Sequence, residues 1–280
     1  MAEFKRNTSG FTADVEKYDE TTIIKIYRDE VSDEAVEREI LCTESIQGLG
    51  LPVPEYRGRT TRDGKRAILQ EYIEGSNMME LLLAGELSPT EAARDFAGVH
   101  YQMHSCKAPG LESSKLRFER MLKNSQRNLG EDLTQRCLKL LYELPEGDSL
   151  CHNDFHPLNI IYSPRGMVVI DWSDATAGNP ISDISKTIQA FDYGFNLPRE
   201  RRTPEALERL QVVRPIVQEF VREYEREYAR LSGMSTEEFV ELSMPWRVVT
   251  SAARFDIEWD TNKAGLLKVF YDYFEEHPVR

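Results

Sequence analysis

The chain of 280 residues is long enough for roughly two domains, or for one domain built in two lobes. Its 35 lysines and arginines are outnumbered by 48 aspartates and glutamates, and a formal net charge of −13 repels nucleic acid. The longest apolar runs fall well short of the roughly 18 residues of a membrane span, and the first residues lack the apolar core of a signal peptide. We therefore expect a cytoplasmic protein whose partners include neither nucleic acid nor a membrane.

The four cysteines are scattered along the chain and form no C-x-x-C pair. This spacing is typical of free thiols in a reducing compartment, and it argues against a disulfide framework or a zinc site. The residues are Cys42, Cys106, Cys137 and Cys151.

Strand patterns dominate the N-terminal quarter of the chain. Residues 11–16 alternate in polarity, residues 21–27 are β-branched and apolar, and residues 67–73 follow the hairpin dipeptide Asp63-Gly64. Between the second and third strands, residues 32–47 combine an acidic first turn with helical spacing of apolar side chains. The pattern predicts a small lobe in which strands surround one helix.

Glu74-Gly75-Ser76 is the predicted hinge after this lobe, and it divides the chain into domains 1–74 and 75–280. Beyond it the pattern is mostly helical, and Ser88 with Glu91 has the spacing of a capping box. Helices are predicted over residues 88–105, 116–128, 131–144, 204–231 and 236–260, and short strands over 149–152, 160–163 and 167–171.

The segment after the first of these short strands carries the most informative pattern. His152, Asp154 and Asn159 have the H-x-D-x-x-x-x-N spacing of a kinase catalytic loop, in which His152 supports the loop. A hairpin then brings Asp171 to the end of a strand. Asp154 could accept the proton of an acceptor hydroxyl, while Asn159 and Asp171 offer the hard oxygen ligands that Mg²⁺ prefers. The alternative is a turn whose Asp and Asn side chains only cap local backbone groups.

Phosphoryl transfer also needs a cation for the phosphates, placed on a strand and held by a helix carboxylate. Lys25 interrupts an apolar strand, and Glu39, or its rival Glu37, can face it from the next helix. Upstream, Ser9 and Gly10 could form a turn whose backbone N–H groups bind phosphate. The alternatives are an outward-facing lysine on an edge strand and an ordinary hairpin turn.

Residues 150–187 closely resemble the core of the aminoglycoside phosphotransferase and choline kinase-like family of small-molecule kinases, with weaker similarity over about residues 5–190. The resemblance implies an α+β, bilobal protein kinase-like fold. In it a small β-rich N-terminal lobe with one helix binds the nucleotide, and a larger, mostly helical C-terminal lobe holds the catalytic loop and acceptor site. It also implies ATP or GTP as phosphoryl donor and Mg²⁺ as cofactor. The implied roles are Asp154 as catalytic base, Asn159 and Asp171 as metal ligands, Lys25 at the phosphates with Glu39 as its partner, and the backbone of Glu71, Tyr72 and Ile73 at the adenine.

The expected acceptor is a small, hydroxylated cation such as an aminoglycoside-like amino sugar. Asp174, Glu258 and Asp260 could bind it, because carboxylates around a cleft concentrate cations. A solvated acidic helix face is an equal interpretation of Glu258 and Asp260. A choline- or ethanolamine-type kinase, or another metabolite kinase, is the alternative, and Asn153 stands where aminoglycoside kinases usually have glycine.

Two functions of other classes compete with a kinase. The pairs His100/His104 and His152/His156 have H-x-x-x-H spacing, which on a helix could bind zinc, but neither carries a glutamate after its first histidine. The other candidate is a catalytically silent, nucleotide-binding scaffold of the same fold, against which the intact motif argues. Magnesium-dependent nucleotide consumption with added acceptors would distinguish the scaffold from a kinase.

Overall fold

The structure, a computed structural model, describes residues 8–9, 12–196, 204–256 and 263–277. The strands are β1 (Thr8–Ser9), β2 (Ala13–Lys17), β3 (Thr22–Tyr27), β4 (Tyr56–Arg62), β5 (Lys65–Glu71), β6 (Ser76–Asn77), β7 (Ser149–Cys151), β8 (Ile160–Ser163), β9 (Gly166–Val169) and β10 (Thr176–Gly178). The helices are α1 (Asp33–Ile46), α2 (Met78–Ala84), α3 (Pro89–His104), α4 (Ser114–Leu129), α5 (Glu131–Glu143), α6 (Pro180–Asn196), α7 (Pro204–Leu231), α8 (Thr236–Ala253) and α9 (Lys263–Glu276).

The chain packs into two compact units, each made from two separated stretches of sequence. The first unit comprises Met1–Glu80 with Pro157–Asp174, and the second comprises Leu81–His156 with Ala175–Arg280. The hinge predicted from the sequence divides the chain at residues 74/75, whereas the packing assigns residues up to Glu80, and also residues 157–174, to the first unit.

The first unit is built on an antiparallel sheet with the strand order β1-β2-β3-β5-β4. The β4–β5 hairpin turns at Asp63 and Gly64, whose φ values of 52° and 78° are those of the turn that this dipeptide predicts. Helix α1 begins after Ser32, which accepts a hydrogen bond from the Ala35 N–H as the N-cap. The helix buries Val36 and Ile40 against the sheet, so the predicted lobe of strands around one helix is confirmed.

The segment 157–174 returns to the first unit as a hairpin of β8 and β9, and β8 also pairs with β6. Ile161 and Val168 of this hairpin pack against Ile73, which follows β5. Gly75 is required here because its φ is +150° and a Cβ atom would lie 2.0 Å from the carbonyl oxygen of Tyr162. Close backbone approach therefore explains the glycine of the predicted hinge.

Helices form most of the second unit. Helix α3 begins with the predicted capping box, in which Ser88 and Glu91 exchange hydrogen bonds, and it packs along α7. Helices α4, α5 and α8 share a core that includes Phe118, Leu141 and Trp246. Strand β10, which was not predicted, pairs with β7. Helix α8 ends at Ala253 instead of continuing toward 260, and residues 257–260 lie outside the described residues.

None of the helices in the described ranges has the length and apolar composition that crossing a lipid bilayer requires.

Candidate active site

Asp183 holds the backbone of the segment that carries Asp154. The N–H of His152 donates to Asp183 Oδ2 at 2.6 Å, and the N–H of Asn153 donates to Asp183 Oδ1 at 2.7 Å. Asp183 is fully buried in the first turn of α6, where the helix dipole favours a negative charge. One carboxylate therefore fixes two consecutive peptide groups immediately before Asp154.

Asn153 adopts a left-handed backbone conformation, with φ of +63°. Asparagine tolerates this region better than most residues other than glycine. Its side chain is also anchored, because Nδ2 donates to Thr176 Oγ1 at 2.8 Å in β10. Asn153 thus adopts the backbone conformation that the turn requires, and its side chain hydrogen-bonds the turn to β10.

The Asp154 carboxylate is 48% exposed and lies beside His156, whose Nε2 is 3.5 Å from Oδ2. Burial by itself would raise the pKa of Asp154. The hydrogen bond from His156 and the positive potential of His156, His152 and Lys186 outweigh that effect and lower the pKa to about 2. The carboxylate is therefore ionised at neutral pH and accessible, as a proton acceptor must be.

In the first unit, the ammonium group of Lys25 contacts two carboxylates. Its Nζ lies 2.6 Å from Glu39 Oε1 and 3.3 Å from Asp171 Oδ1. Burial alone would lower the pKa of Lys25, but the charges of Asp171 and Glu39 more than compensate and raise it above its ordinary value. The rival carboxylate, Glu37, pairs with Arg59 at 2.5 Å, so the structure selects Glu39 as the partner of Lys25.

Asn159 and Asp171 lie close together in the same unit. The carbonyl oxygen of Asn159 accepts a hydrogen bond of 2.9 Å from the N–H of Ile170, the residue that precedes Asp171. Strand β9 ends at Val169, so Asp171 follows the strand in a left-handed turn with φ of +61°. Its Oδ1 also accepts from Ser173 Oγ at 3.2 Å. The amide oxygen of Asn159 and the carboxylate of Asp171 are hard oxygen ligands, which are the type that Mg²⁺ prefers.

The segment predicted at the adenine follows β5. The N–H of Glu71 donates to the carbonyl oxygen of Glu55, and the N–H of Tyr72 donates to the carbonyl oxygen of Thr21 at 2.7 Å. Both amides are therefore already hydrogen-bonded within the protein. Ile73 is buried against the β8–β9 hairpin. Of the other predicted residues, Ser9 lies in β1 and Asp174 ends the returning segment, while Gly10, Glu258 and Asp260 lie outside the described residues.

Sequence reasoning missed Asp183, but it favoured packed or surface helix positions over a zinc site for His100 and His104, and both are buried. His100 Nε2 and His104 Nε2 each lie 3.2 Å from Asp183 Oδ2. Their H-x-x-x-H spacing on α3 indicated a possible zinc site, whereas the structure gives both rings a carboxylate as hydrogen-bond partner. The spacing was a correct signal that the two rings share a helix face.

Burial, followed by the charge of His104, lowers the pKa of His100 from 6.5 to about 3. Protonation of His100 on unfolding should therefore destabilise the protein as pH falls below about 6.5. Above about pH 6.5 the contribution of His100 to the free energy of unfolding is fully present. Between about pH 6.5 and pH 3 it decreases by about 1.4 kcal/mol for each unit that the pH falls.

Urea unfolding between about pH 5 and 6.5 tests this expectation. The His100→Gln variant should lose this part of the slope, because glutamine does not titrate. The control variant is His277→Gln, at an exposed position just after α9, and it should keep the wild-type slope. An unchanged slope in His100→Gln would contradict the prediction.

Comparison with solved structures identifies the class of fold. The aminoglycoside phosphotransferase APH(2″)-IIa, in a ternary complex with streptomycin and ATP, aligns with a TM-score of 0.61 at 16% identity, covering 95% of this chain and 89% of that one. A protein assigned as a fructosamine-3-kinase from Haemophilus somnus aligns with a TM-score of 0.50 at 13% identity, covering 93% of this chain and 87% of that one. The predicted protein kinase-like α+β fold is thus confirmed.

The sequence comparison identifies the family. The model of the phosphotransferase enzyme family matches residues 3–233, and this chain belongs to that family. Acyl-CoA dehydrogenase family member 11 of Homo sapiens is 26% identical over 174 residues, which cover 54% of this chain and 22% of that protein. The Rattus norvegicus protein of that name is 24% identical over 208 residues, covering 66% of this chain and 26% of that protein. The chain spans about a quarter of the length of these relatives.

Proposed function

We propose that this protein is a kinase that transfers the γ-phosphoryl group of ATP or GTP to a hydroxyl group of a small molecule. The observation that carries the proposal is the position of Lys25 Nζ, 2.6 Å from Glu39 and 3.3 Å from Asp171. A buried lysine oriented by a helix carboxylate and adjacent to a carboxylate beyond a strand is what phosphoryl transfer requires. Membership of the phosphotransferase family supports the same conclusion.

In this proposal the nucleotide phosphates bind Lys25. An ammonium group has three N–H donors, so the contacts with Glu39 and Asp171 leave one for a phosphate oxygen. Asn159 and Asp171 would hold Mg²⁺, which supplies positive charge to the phosphate oxygens when it is bound. The N–H of Ile73 is our candidate for the adenine edge, since the amides of Glu71 and Tyr72 already bond to backbone carbonyls.

Asp154 is the proposed general base. It accepts the proton of the acceptor hydroxyl while that oxygen forms its bond to the γ-phosphorus and the bond to the nucleoside diphosphate breaks. Two features support this role: the carboxylate is ionised at neutral pH, and the backbone before it is held by Asp183. A base on a fixed backbone loses little entropy when it meets the hydroxyl.

The test is a screen of hydroxylated compounds with ATP or GTP and Mg²⁺, read by mass spectrometry for an acceptor that gains one phosphoryl group. Amino sugars, amino alcohols such as choline and ethanolamine, neutral sugars and anionic sugars form its four arms. An acceptor that is phosphorylated by the wild type and not by Asp154→Asn supports the proposal. Tight, magnesium-dependent nucleotide binding without transfer to any arm would favour the silent scaffold instead.

We expect the best acceptor to be cationic, because the chain carries a net charge of −13 and Asp174 lies in the segment that follows Asp171. Asp174→Asn should raise the KM of the acceptor several-fold with little change in kcat, as loss of uniform binding does. Added salt should raise the same KM, since screening acts within roughly 10 Å at 0.1 M ionic strength. Asp132→Asn, at an exposed position on α5, is the control. A neutral or anionic best acceptor would contradict this expectation and leave the kinase proposal standing.

A further inference from the structure

Two histidines and two tyrosines form a buried cluster around Asp183, which we call the His–Tyr cluster. Tyr224 OH lies 2.7 Å from His100 Nδ1, and Tyr228 OH lies 2.7 Å from His104 Nδ1. The histidines are four residues apart on α3 and the tyrosines four apart on α7, so each helix presents a matched pair on one face. His104, at 6%, is the most exposed of the five side chains, and the others lie at 2% or below.

With both imidazoles neutral, the geometry permits one arrangement of protons. A carboxylate only accepts hydrogen bonds, so both Nε2 atoms that contact Asp183 must carry the proton of the imidazole. Both Nδ1 atoms are then acceptors, and each receives the hydroxyl proton of its tyrosine. Burial raises the pKa of Tyr224 and Tyr228, which keeps the hydroxyls protonated. Asp183 and the two tyrosines therefore favour the same histidine tautomers, one from each side of the ring.

Asp183 collects four N–H donors in this arrangement. Oδ1 accepts from Asn153, and Oδ2 accepts from His152, His100 and His104. Burial alone would raise the pKa of Asp183, but the hydrogen bonds from His100 and His104 hold that pKa well below its usual range. The Nε2 and Oδ2 atoms are also close enough together to hold a metal ion. A zinc ion, however, would have to replace both Nε2 protons, and the hydrogen bonds already pair every one of these atoms.

We infer that the His–Tyr cluster is a positioning device for the catalytic base: it fixes the rotation of the Asp183 side chain, which fixes the amides of His152 and Asn153 and so the backbone of Asp154. This inference rests on the proposed function of Asp154. The two histidines contact Asp183, and the two tyrosines contact the histidines. Neither the nucleotide nor the acceptor takes part in these contacts. They act through the loop, and their effect should therefore be on kcat.

The test uses Tyr224→Phe, Tyr228→Phe and the double variant, which remove the hydroxyl donors and keep the rings. The control is Tyr101→Phe on α3, whose ring also packs edge-on against Tyr228 at 5.9 Å. We expect kcat of the double variant to fall roughly 10- to 100-fold, as a small misplacement of a catalytic group does, with KM and nucleotide affinity unchanged. If the double variant does not fold, the single variants provide the same comparison.

Two further readouts do not depend on activity. Nitrogen-15 NMR of the histidines should show Nε2–H tautomers for His100 and His104 in the wild type, and the Nδ1 resonances should shift in the tyrosine variants because each Nδ1 loses its hydroxyl donor. Hydrogen exchange at the amides of His152 and Asn153 should be faster in those variants. An inactive wild type that shows both effects would contradict the kinase and not the cluster. Wild-type exchange and kcat in the double variant, Nδ1–H tautomers in the wild type, or one equivalent of tightly bound zinc would each overturn the inference.

Discussion

Replacement of Asp154 by asparagine should lower kcat by about 10²- to 10⁴-fold, the range that a positioned general base contributes. Nucleotide affinity and thermal stability should change little, because the carboxylate is 48% exposed and lies 3.5 Å from His156 at the surface of its unit. The measurement is steady-state transfer at saturating acceptor, together with calorimetric titration of the nucleotide and a thermal melt.

The matched control is Asp132→Asn, which removes a surface carboxylate from α5 in the same unit. It should retain wild-type turnover. Comparable kcat values for wild type and Asp154→Asn would rule out Asp154 as the base, whatever acceptor is used.

Replacement of Asp171 by asparagine should abolish most of the effect of Mg²⁺ on nucleotide binding and lower kcat/KM by about 10²-fold or more, since a metal supplies several kcal/mol of charge stabilisation. Asparagine is the informative substitution because Asp171 has a φ of +61°, a conformation that alanine tolerates poorly. Lys25 keeps its contact with Glu39 at 2.6 Å in this variant, so the phosphate-binding cation stays in place. Calorimetric titration of the nucleotide with and without Mg²⁺ provides the measurement.

Asp63→Asn is the matched control for this experiment. Asp63 is also an aspartate with positive φ in the first unit, but it lies at the tip of the β4–β5 hairpin. Its variant should bind the nucleotide with the full magnesium effect. If Asp171→Asn also retains the full effect, Asp171 is not a magnesium ligand and its contact with Lys25 is purely an ion pair.

Local signals in the sequence predicted much of this fold. The Asp63-Gly64 turn and the Ser88–Glu91 capping box were identified correctly because each depends on residues within four positions of one another. Helix α7 matched its predicted range of 204–231 for a related reason: its apolar spacing repeats over many turns. Helix α2 and strand β10 were missed, because seven and three residues are too short to show a period.

Partner choice depended on packing. The sequence favoured Glu39 as the partner of Lys25 but left Glu37 as a rival, since both lie on α1. The packing of the helix on the sheet places Glu39 beside Lys25 and Glu37 beside Arg59. The grouping of 157–174 with the first unit likewise depends on the pairing of β6 with β8, between strands far apart in the chain.

The chemical identity of the candidate site is thus predicted by short-range spacing, because His152, Asp154 and Asn159 lie within eight consecutive residues. The residues that hold this segment in place are not predicted by short-range spacing. Asp183 is 31 residues from His152, 83 from His100 and 79 from His104, and each tyrosine is 124 residues from its histidine. No local pattern specifies which of several polar side chains will share one buried carboxylate. That selection follows from the packing of α3, α6 and α7, because burial makes an unpaired polar group costly and so favours the arrangement in which all are paired.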